Sequence, residues 1–548
     1  MRFVSKHQLC FFAALGLAVA CGRPRAATLK DLATGRDSNI AASGGSQTVS
    51  MNDIESIHIL PNTNVPKGVV VSLVKFGAEN NYAFVRDLYR QIAAINRTEG
   101  LVPTRTLSHP TRDQLMRQEI TLIVLVPTGY MGDFESLLDS LGGRNVPYVI
   151  PMEISTTYGD SWIQDFGEFA MVKLKDAARP SYLVLDTYRN HNRQEYDPAV
   201  FQQEFRIPLV RLGANKNISG QYGGNIEATP DGTLYMGNAV DSNRFEPTTG
   251  SDLYTRLESF GNANAVKLAS NWLNVGHVDE FLTFTPSRRG CGSTLFYGRP
   301  LEALQLLVEQ ASDAEFKSFS DEWANQVLAS SRGGPPTQLL DVHLTRESLR
   351  QALAWFKRDP NVRGIPLDLA AYDLNRHEPA WDSITAAGGM NSDQLASLRQ
   401  SGAFARFYVW RNLVDQQAIE QNVRQLESSL SCHQTEALPE AFLPDFYSTQ
   451  GLSYYSGDSA HLPGMANSLV LRDHVIVPDP GVEALRRTAS ERFGRHLNSA
   501  DGVSHVHFVN DAFYHEARGE IHCGTNVIRE MTLRYQTIKP KRPAATPL

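Results

Sequence analysis

The sequence is poor in cysteine, has no block of like charge and carries no strict internal repeat, and each lack removes a class of protein. Five cysteines among 548 residues (Cys10, Cys21, Cys291, Cys432 and Cys523) are too few for a disulfide-built scaffold. There is no low-complexity tract and no long basic run, and the net charge is −7, so nothing points to a nucleic-acid partner. A mildly acidic surface instead favours cationic partners. The apolar run from Leu9 to Cys21 is too short to cross a bilayer comfortably. What is present, 42% hydrophobic and 20% charged residues, is ordinary for a globular chain with a real core.

That apolar run follows a basic start (Arg2, Lys6, His7) and ends in Ala18-Val19-Ala20, small residues two apart. It reads as a secretory signal over residues 1–20, cut after Ala20. Loss of Arg2 and Lys6 moves the net charge from −7 to −9. The expected location is extracellular. Cys21, directly after the cut, leaves open a lipid-anchored alternative, against which Ala18 counts. Residues 21–50 read as a polar tether. Cys10 leaves with the signal. Cys291 with Cys432 is the first choice for a single disulfide, and two buried thiols are nearly as good a reading.

From Ile57 the pattern alternates short strands and helices. Gly68–Val74, Ile120–Val126, Tyr148–Ile150, Tyr182–Asp186, Leu209–Leu212 and Ala265–Leu268 read as strands, and Asn81–Ile95 as a helix. The region from about 300 to 430 is more helical, with apolar spacing over Leu301–Gln310, Arg346–Phe356 and Leu413–Leu430. Strands return at Ser468–Val477 and His505–Val509. This alternation implies an α/β fold with layered packing. A structural repeat with diverged sequence stays compatible with it.

Three clusters carry chemistry: Gly159-Asp160-Ser161-Trp162-Ile163-Gln164-Asp165, Trp272-Leu273-Asn274-Val275-Gly276-His277-Val278-Asp279-Glu280-Phe281, and Gly519-Glu520-Ile521-His522-Cys523-Gly524-Thr525-Asn526. His277 and Asp279 are two apart in an apolar stretch that reads as a strand or its end, which would put both on one face. Taken alone, such a pair is more often structural, a lone Cys523 is more often a small buried hydrophobe, and Asp165 could merely cap an element. Together the clusters supply two carboxylates, an imidazole and a thiol. A guanidinium is planar, permanently charged and offers a fork of N–H donors, which two carboxylates can accept. Its carbon is deactivated by resonance and calls for a strong nucleophile such as thiolate. Its leaving group is an amine, which an imidazole can protonate.

On these segments the sequence resembles the protein-arginine deiminase family. Leu60-Pro61-Asn62-Thr63, Trp162-Ile163-Gln164-Asp165, Gly224-Asn225-Ile226-Glu227, Val275 to Phe281, Pro463-Gly464-Met465, Val509-Asn510-Asp511 and Gly519 to Val527 match its signatures in order from about residue 57 to 530. The resemblance implies a five-bladed α/β propeller of pentein type over residues 51–540, with a largely helical insertion at 312–410. It implies hydrolytic deimination of peptidyl arginine to citrulline through a thiouronium on Cys523. Asp165 and Asp279 would clamp the guanidinium, His277 would serve as acid and then base, and Trp162 and Val275 would wall the arginine stem. Arg189 would hold the substrate backbone, helped by Arg518. Calcium is the implied cofactor, with Gln164, Glu168, Glu227 and main-chain oxygens near Gly223 and Ile226 matching one site. Phe166 replaces an acid of a second site, which counts against that site although Asp186 and Asn190 remain. Arginine-containing proteins or peptides are the implied partners. Deimination of free arginine or a small guanidine such as agmatine, and a non-catalytic secreted binding protein of the same fold, are the competing readings. His505 and His507, two apart, are expected on a strand face rather than in a metal site. Asn96-Arg97-Thr98 and Asn217-Ile218-Ser219 have the form of glycosylation acceptors.

Overall fold

The computed structural model describes residues 49, 51–76, 78–101, 119–143, 146–155, 159–186, 207–212, 219–238, 250–262, 265–287, 289–329, 344–358, 403–430, 432, 434–449, 452–497 and 505–531. The signal segment, all of the tether except Val49, Arg189, Asn190 and the Asn217 acceptor lie outside the described residues.

The architecture is mixed α/β, and five sheets of three or four strands share one pattern of connection. In each, a first strand pairs antiparallel with a second, and the second pairs parallel with a third. The five sets are Gly167–Leu174, Ser181–Asp186 and Leu209–Arg211; Ile226–Ala228, Leu234–Gly237 and Val266–Leu268; Leu282–Pro286, Ser293–Gly298 and Thr435–Leu438; Leu469–Leu471, His474–Pro478 and Val506–Val509; and Thr525–Arg529, Pro66–Ser72 and Thr121–Pro127. Ile54–Ile59 adds an antiparallel edge to the first set, and Val149–Ile154 a parallel one to the last. The repeat is invisible as sequence identity because strand pairing constrains only alternation and burial, not residue type.

Parallel neighbours need a crossover, and among the described residues helices supply it in four of the five sets. Helix α1 (Tyr82–Thr98) links the parallel strands of the last set and buries Phe84, Val85, Leu88, Ile92 and Ile95 along one stripe. Helix α2 (Met131–Ser140) follows Thr121–Pro127, and α3 (Gly250–Ser259) crosses over in the second set. Among the described residues the third set has four helices at this point: α4 (Pro300–Gln310), α5 (Asp313–Ala329), α6 (Arg346–Arg358) and α7 (Ala403–Ser429). Helix α8 (Glu483–His496) serves the fourth. The described parts of residues 312–410 are thus an elaborated crossover, whose Trp323, Leu349 and Tyr408 pack in one apolar cluster with Leu304 and Leu307 of α4 and with Phe296, Leu438, Val475 and Phe493.

Two readings need correction, and one element went unread. Ser468–Val477 is a tight hairpin turned at Arg472-Asp473, where Arg472 has φ of 60°, and not one strand. A further hairpin, Phe442–Thr449 with Leu452–Ala460, was not foreseen. Asn96 is no glycan acceptor in the folded chain: it is buried, and its carboxamide makes two 2.8 Å hydrogen bonds with the main chain of Ile120. Cys291 and Cys432 form a disulfide, and Cys523 is the free cysteine among the described residues.

Candidate active site

Each set of strands is entered through a turn just before its first strand, and every central site residue lies on one of these turns. Gln164–Phe166 precedes Gly167, Gly223–Asn225 precedes Ile226, His277–Glu280 leads to Leu282, Gly464–Ser468 precedes Leu469, and Glu520–Gly524 precedes Thr525. His277 and Asp279 therefore do not alternate along a strand. His277 stands at the start of a 3₁₀ turn over Val278–Glu280, where its main-chain N–H donates to Glu280 Oε1 at 2.8 Å. A strand pattern was expected because the stretch is apolar, with Val275 and Phe281 on one face and Val278 on the other, but Val278 and Phe281 are both buried from a turn.

The five turns touch in a closed order. A Cβ at Gly223 would collide with the main-chain oxygen of Gln164 and stand 2.8 Å from Glu168 Oε1. A Cβ at Gly224 would lie 2.7 Å from His277 Nδ1 and 3.0 Å from both carboxylate oxygens of Asp279. Glycine is required here for close approach. Asn467 Nδ2 donates to the Asp279 main-chain oxygen at 3.1 Å, and Asn467 Oδ1 accepts from the His522 N–H at 2.9 Å. The Gln164 N–H donates to the Cys523 main-chain oxygen at 3.2 Å, which returns to the first turn.

Inside this ring the predicted residues meet. Cys523 Sγ is 3.6 Å from Asp279 Oδ2, and His277 Nδ1 is 3.6 Å from Asp165 Oδ1. Asp165, His277, Asp279 and Cys523 are all buried. Burial, then the Asp279 and Asp165 carboxylates, push the Cys523 thiol well above its usual range. The half-buried indole of Trp162 fills the space over Gly519, where a Cβ would strike its ring. Val275 is half-buried on the segment leading to His277. Arg518, in a left-handed conformation with φ of 72°, lines a small cavity with Cys523, Glu280, His515 and Glu520.

Sequence reasoning assigned no role to His522, His515 or Asn467. His522 Nδ1 lies 2.8 Å from Asp279 Oδ2 and its Nε2 3.8 Å from Glu227 Oε1. Burial alone would lower the His522 pKa, but Asp279 and Glu227 outweigh it and raise it. Its adjacency to Cys523 was the available signal. His515 and Asn467 have partners far away in sequence, so local pattern could not disclose them.

Next to Asp279 lies a second acidic group. Glu168 accepts from Gln164 Nε2, and Glu227 Oε2 accepts from Asn62 Nδ2 at 3.2 Å. Burial, followed by the neighbouring Glu227 and Asp279 charges, raises the Glu168 pKa well above its usual range. Burial pushes Glu227 up to about 7, against the pull of His522. The Arg529 guanidinium, itself lowered to about 10 by burial, is the cation set against both. Among the described residues no three His, Cys, Asp or Glu side chains are grouped to hold a metal, so any cation here would draw on Gln164 and main-chain oxygens as well. Phe166 is packed in the core with Ile163, Phe169 and Val184 and offers no oxygen for a second site.

A buried thiol grouped with two carboxylates and an imidazole defines a cysteine-centred site whose carboxylate charge a bound cation would offset. The family described as Protein-arginine deiminase (PAD) matches residues 116–354 and 407–535, and the chain belongs to it. Human protein-arginine deiminase type-1 is 26% identical over 387 residues, covering 68% of this chain and 46% of that protein. Human protein-arginine deiminase type-4 is 24% identical over 385 residues, with the same coverage. The chain thus spans about half the length of the curated relatives it matches. Among solved structures, agmatine deiminase of C. jejuni aligns at 11% identity with a TM-score of 0.41, covering 87% of this chain and 96% of that one.

Proposed function

We propose that the protein hydrolyses the guanidinium of peptidyl arginine to citrulline and ammonia, with Cys523 as nucleophile. The observation that carries this reading is the convergence of Asp165, His277, Asp279 and Cys523 on one ring of turns. The names of the curated relatives support arginine in proteins as the substrate. The five equivalent strand sets, joined at both chain ends by the pairing of Val69 with Val527, support a five-bladed arrangement around that ring.

Asp165 and Asp279 accept hydrogen bonds from the guanidinium fork. A permanent cation between them offsets the two charges that hold the Cys523 thiol protonated, so thiolate forms more readily with substrate bound. The sulfur attacks the guanidinium carbon, an S–C bond forms, and the C–N bond to one terminal nitrogen breaks. His277 gives that nitrogen the proton it needs to leave as ammonia. His277 then takes a proton from water as it attacks the thiouronium carbon. The S–C bond breaks, its electron pair returns to sulfur, the proton left on the added hydroxyl passes to that sulfur, and citrulline leaves with its new C=O. Trp162 and Val275 shield the arginine stem, and Arg518, at the cavity beside Cys523, faces the substrate backbone.

The acidic group fits one calcium ion by its chemistry: Gln164, Glu168 and Glu227, with main-chain oxygens of Gly223 and Ile226, are hard oxygen donors whose crowded negative charge a divalent cation would relieve. Bound there, calcium would order the first two turns. Export of the chain after removal of residues 1–20 is part of the same proposal, and N-terminal sequencing of exported protein should begin at Cys21.

A citrulline assay on a blocked arginine peptide tests the reading. Wild type is expected to turn over the peptide in preference to free arginine, to lose rate on stringent chelation, and to lose all measurable rate on Cys523→Ala. Equal signal from wild type and Cys523→Ala would end the proposal.

A further inference from the structure

Asn467 makes the contact between the third and fifth turns, and its position at the sulfur is more specific than packing requires. The main-chain N–H groups of His522 and Cys523 can only donate, so the atom facing them at 2.9 and 3.3 Å must be the carboxamide oxygen. That fixes the NH₂ group on the other side, where it reaches the Asp279 main-chain oxygen at 3.1 Å and Cys523 Sγ at 3.3 Å. The side chain is only 1% exposed, so this orientation is set by the protein. Among the described residues the side chains that hydrogen-bond to the sulfur are Asn467 Nδ2 and Asp279 Oδ2, and the Glu520 main chain reaches it as well. Of the two side chains only Asn467 can donate to a thiolate, alongside the Glu520 main chain; Asp279 repels one.

We propose that Asn467 is a catalytic residue: its carboxamide N–H donates to the Cys523 sulfur and stabilises the negative charge that sulfur carries when it attacks. Its oxygen holds the main chain from which the sulfur projects. The inference rests on the reading of Cys523 as the nucleophile. It assigns Asn467 two moments of action. Before attack, the N–H stabilises the thiolate. As the S–C bond forms, sulfur's electron pair moves into that bond and the hydrogen bond weakens. When water resolves the thiouronium, the S–C electron pair returns to sulfur and the same N–H receives it.

The discriminating variant is Asn467→Asp, which keeps an oxygen for the two main-chain N–H groups but replaces the donor to sulfur with a second acceptor. Wild type and variant, both without substrate, are treated with iodoacetamide at about pH 8, and the Cys523 peptide is quantified by mass spectrometry. In that reaction an S–C bond forms, the C–I bond breaks, iodide leaves and the thiol proton passes to buffer. Alkylation of Cys523 in Asn467→Asp is expected to slow by roughly tenfold or more, the scale of one hydrogen bond to a charged group, while the melting midpoint stays near that of wild type. The citrulline assay should show kcat reduced by at least as much with KM little changed. Asn467→Ala should also slow alkylation; if it fails to fold, the Asp variant carries the test. Alkylation of a folded Asn467→Asp at the wild-type rate would overturn the role of Asn467. Absence of citrulline from wild type would instead overturn the reading beneath it, so the two failures are distinguishable.

Discussion

The ring of turns and the apolar side of the helical layer of α4 to α7 are both buried, but they are held by different physics. The ring is polar. Its members are single residues from five distant segments, joined by hydrogen bonds and by glycines that permit close approach. The helical layer is apolar, built on Leu304, Leu307, Trp323, Leu349 and Tyr408, with one buried ionic group in which Arg411 joins Asp415 and Asp458. Apolar packing tolerates a lost contact at a cost in stability, because it is non-directional. A directional polar ring loses its geometry at a cost in chemistry. The expectation is that substitutions in the two regions separate cleanly into effects on rate and effects on stability.

Among the substitutions that probe this division, the largest effect is expected from Gly224→Ala. A methyl group there must displace His277 or Asp279, and a misplacement of about 1 Å can cost about a hundredfold in rate. Citrulline formation should fall by at least that factor while circular dichroism stays native. Retention of wild-type kcat/KM would show that the ring does not set the chemistry.

Leu349→Ala on α6 should behave in the opposite way. The side chain is fully buried, and the truncation should cost about 2–5 kcal/mol in denaturant unfolding with KM unchanged in folded protein. A change in KM without loss of stability would mean that the helical layer reports to the site directly.

The smallest effect probes the border between the regions. His515, on the short helix α9 (Ala512–His515), lies 2.7 Å from Glu520 beside the Cys523 turn and 2.8 Å from Glu322 on α5. Burial alone would lower its pKa, but the two carboxylates raise it well above the usual 6.5. A raised pKa means that the folded state holds the proton more tightly than the unfolded one. The stabilisation is therefore complete below about pH 6.5 and is lost as pH rises through the folded value. Unfolding measured from pH 6 upward should show this decline in wild type, and His515→Gln should flatten it. An unchanged slope in the variant would remove this link between layer and ring.

Legibility from sequence followed the same division. Strands such as Thr121–Pro127 and helices such as α1 were readable because their signal is local: an apolar run or a stripe at fixed spacing. The types of the site residues were readable because guanidinium chemistry constrains them, and the family resemblance supplied their order. The fivefold arrangement came only as what the resemblance implied and not from local pattern, since pairing partners such as Val69 and Val527 lie hundreds of residues apart. His277 and Asp279 were misread as strand residues because apolar spacing over a few positions does not distinguish a strand from a buried 3₁₀ turn. Asn467 escaped notice because its meaning lies wholly in what it touches.

The most direct test of the convergence on which the account depends is a crystal structure of Cys523→Ala with a blocked arginine peptide. The guanidinium should lie between the carboxylates of Asp165 and Asp279, with terminal nitrogens about 3 Å from their oxygens and its carbon facing the position vacated by the sulfur. An arginine side chain bound elsewhere, with those two carboxylates facing only solvent, would contradict it.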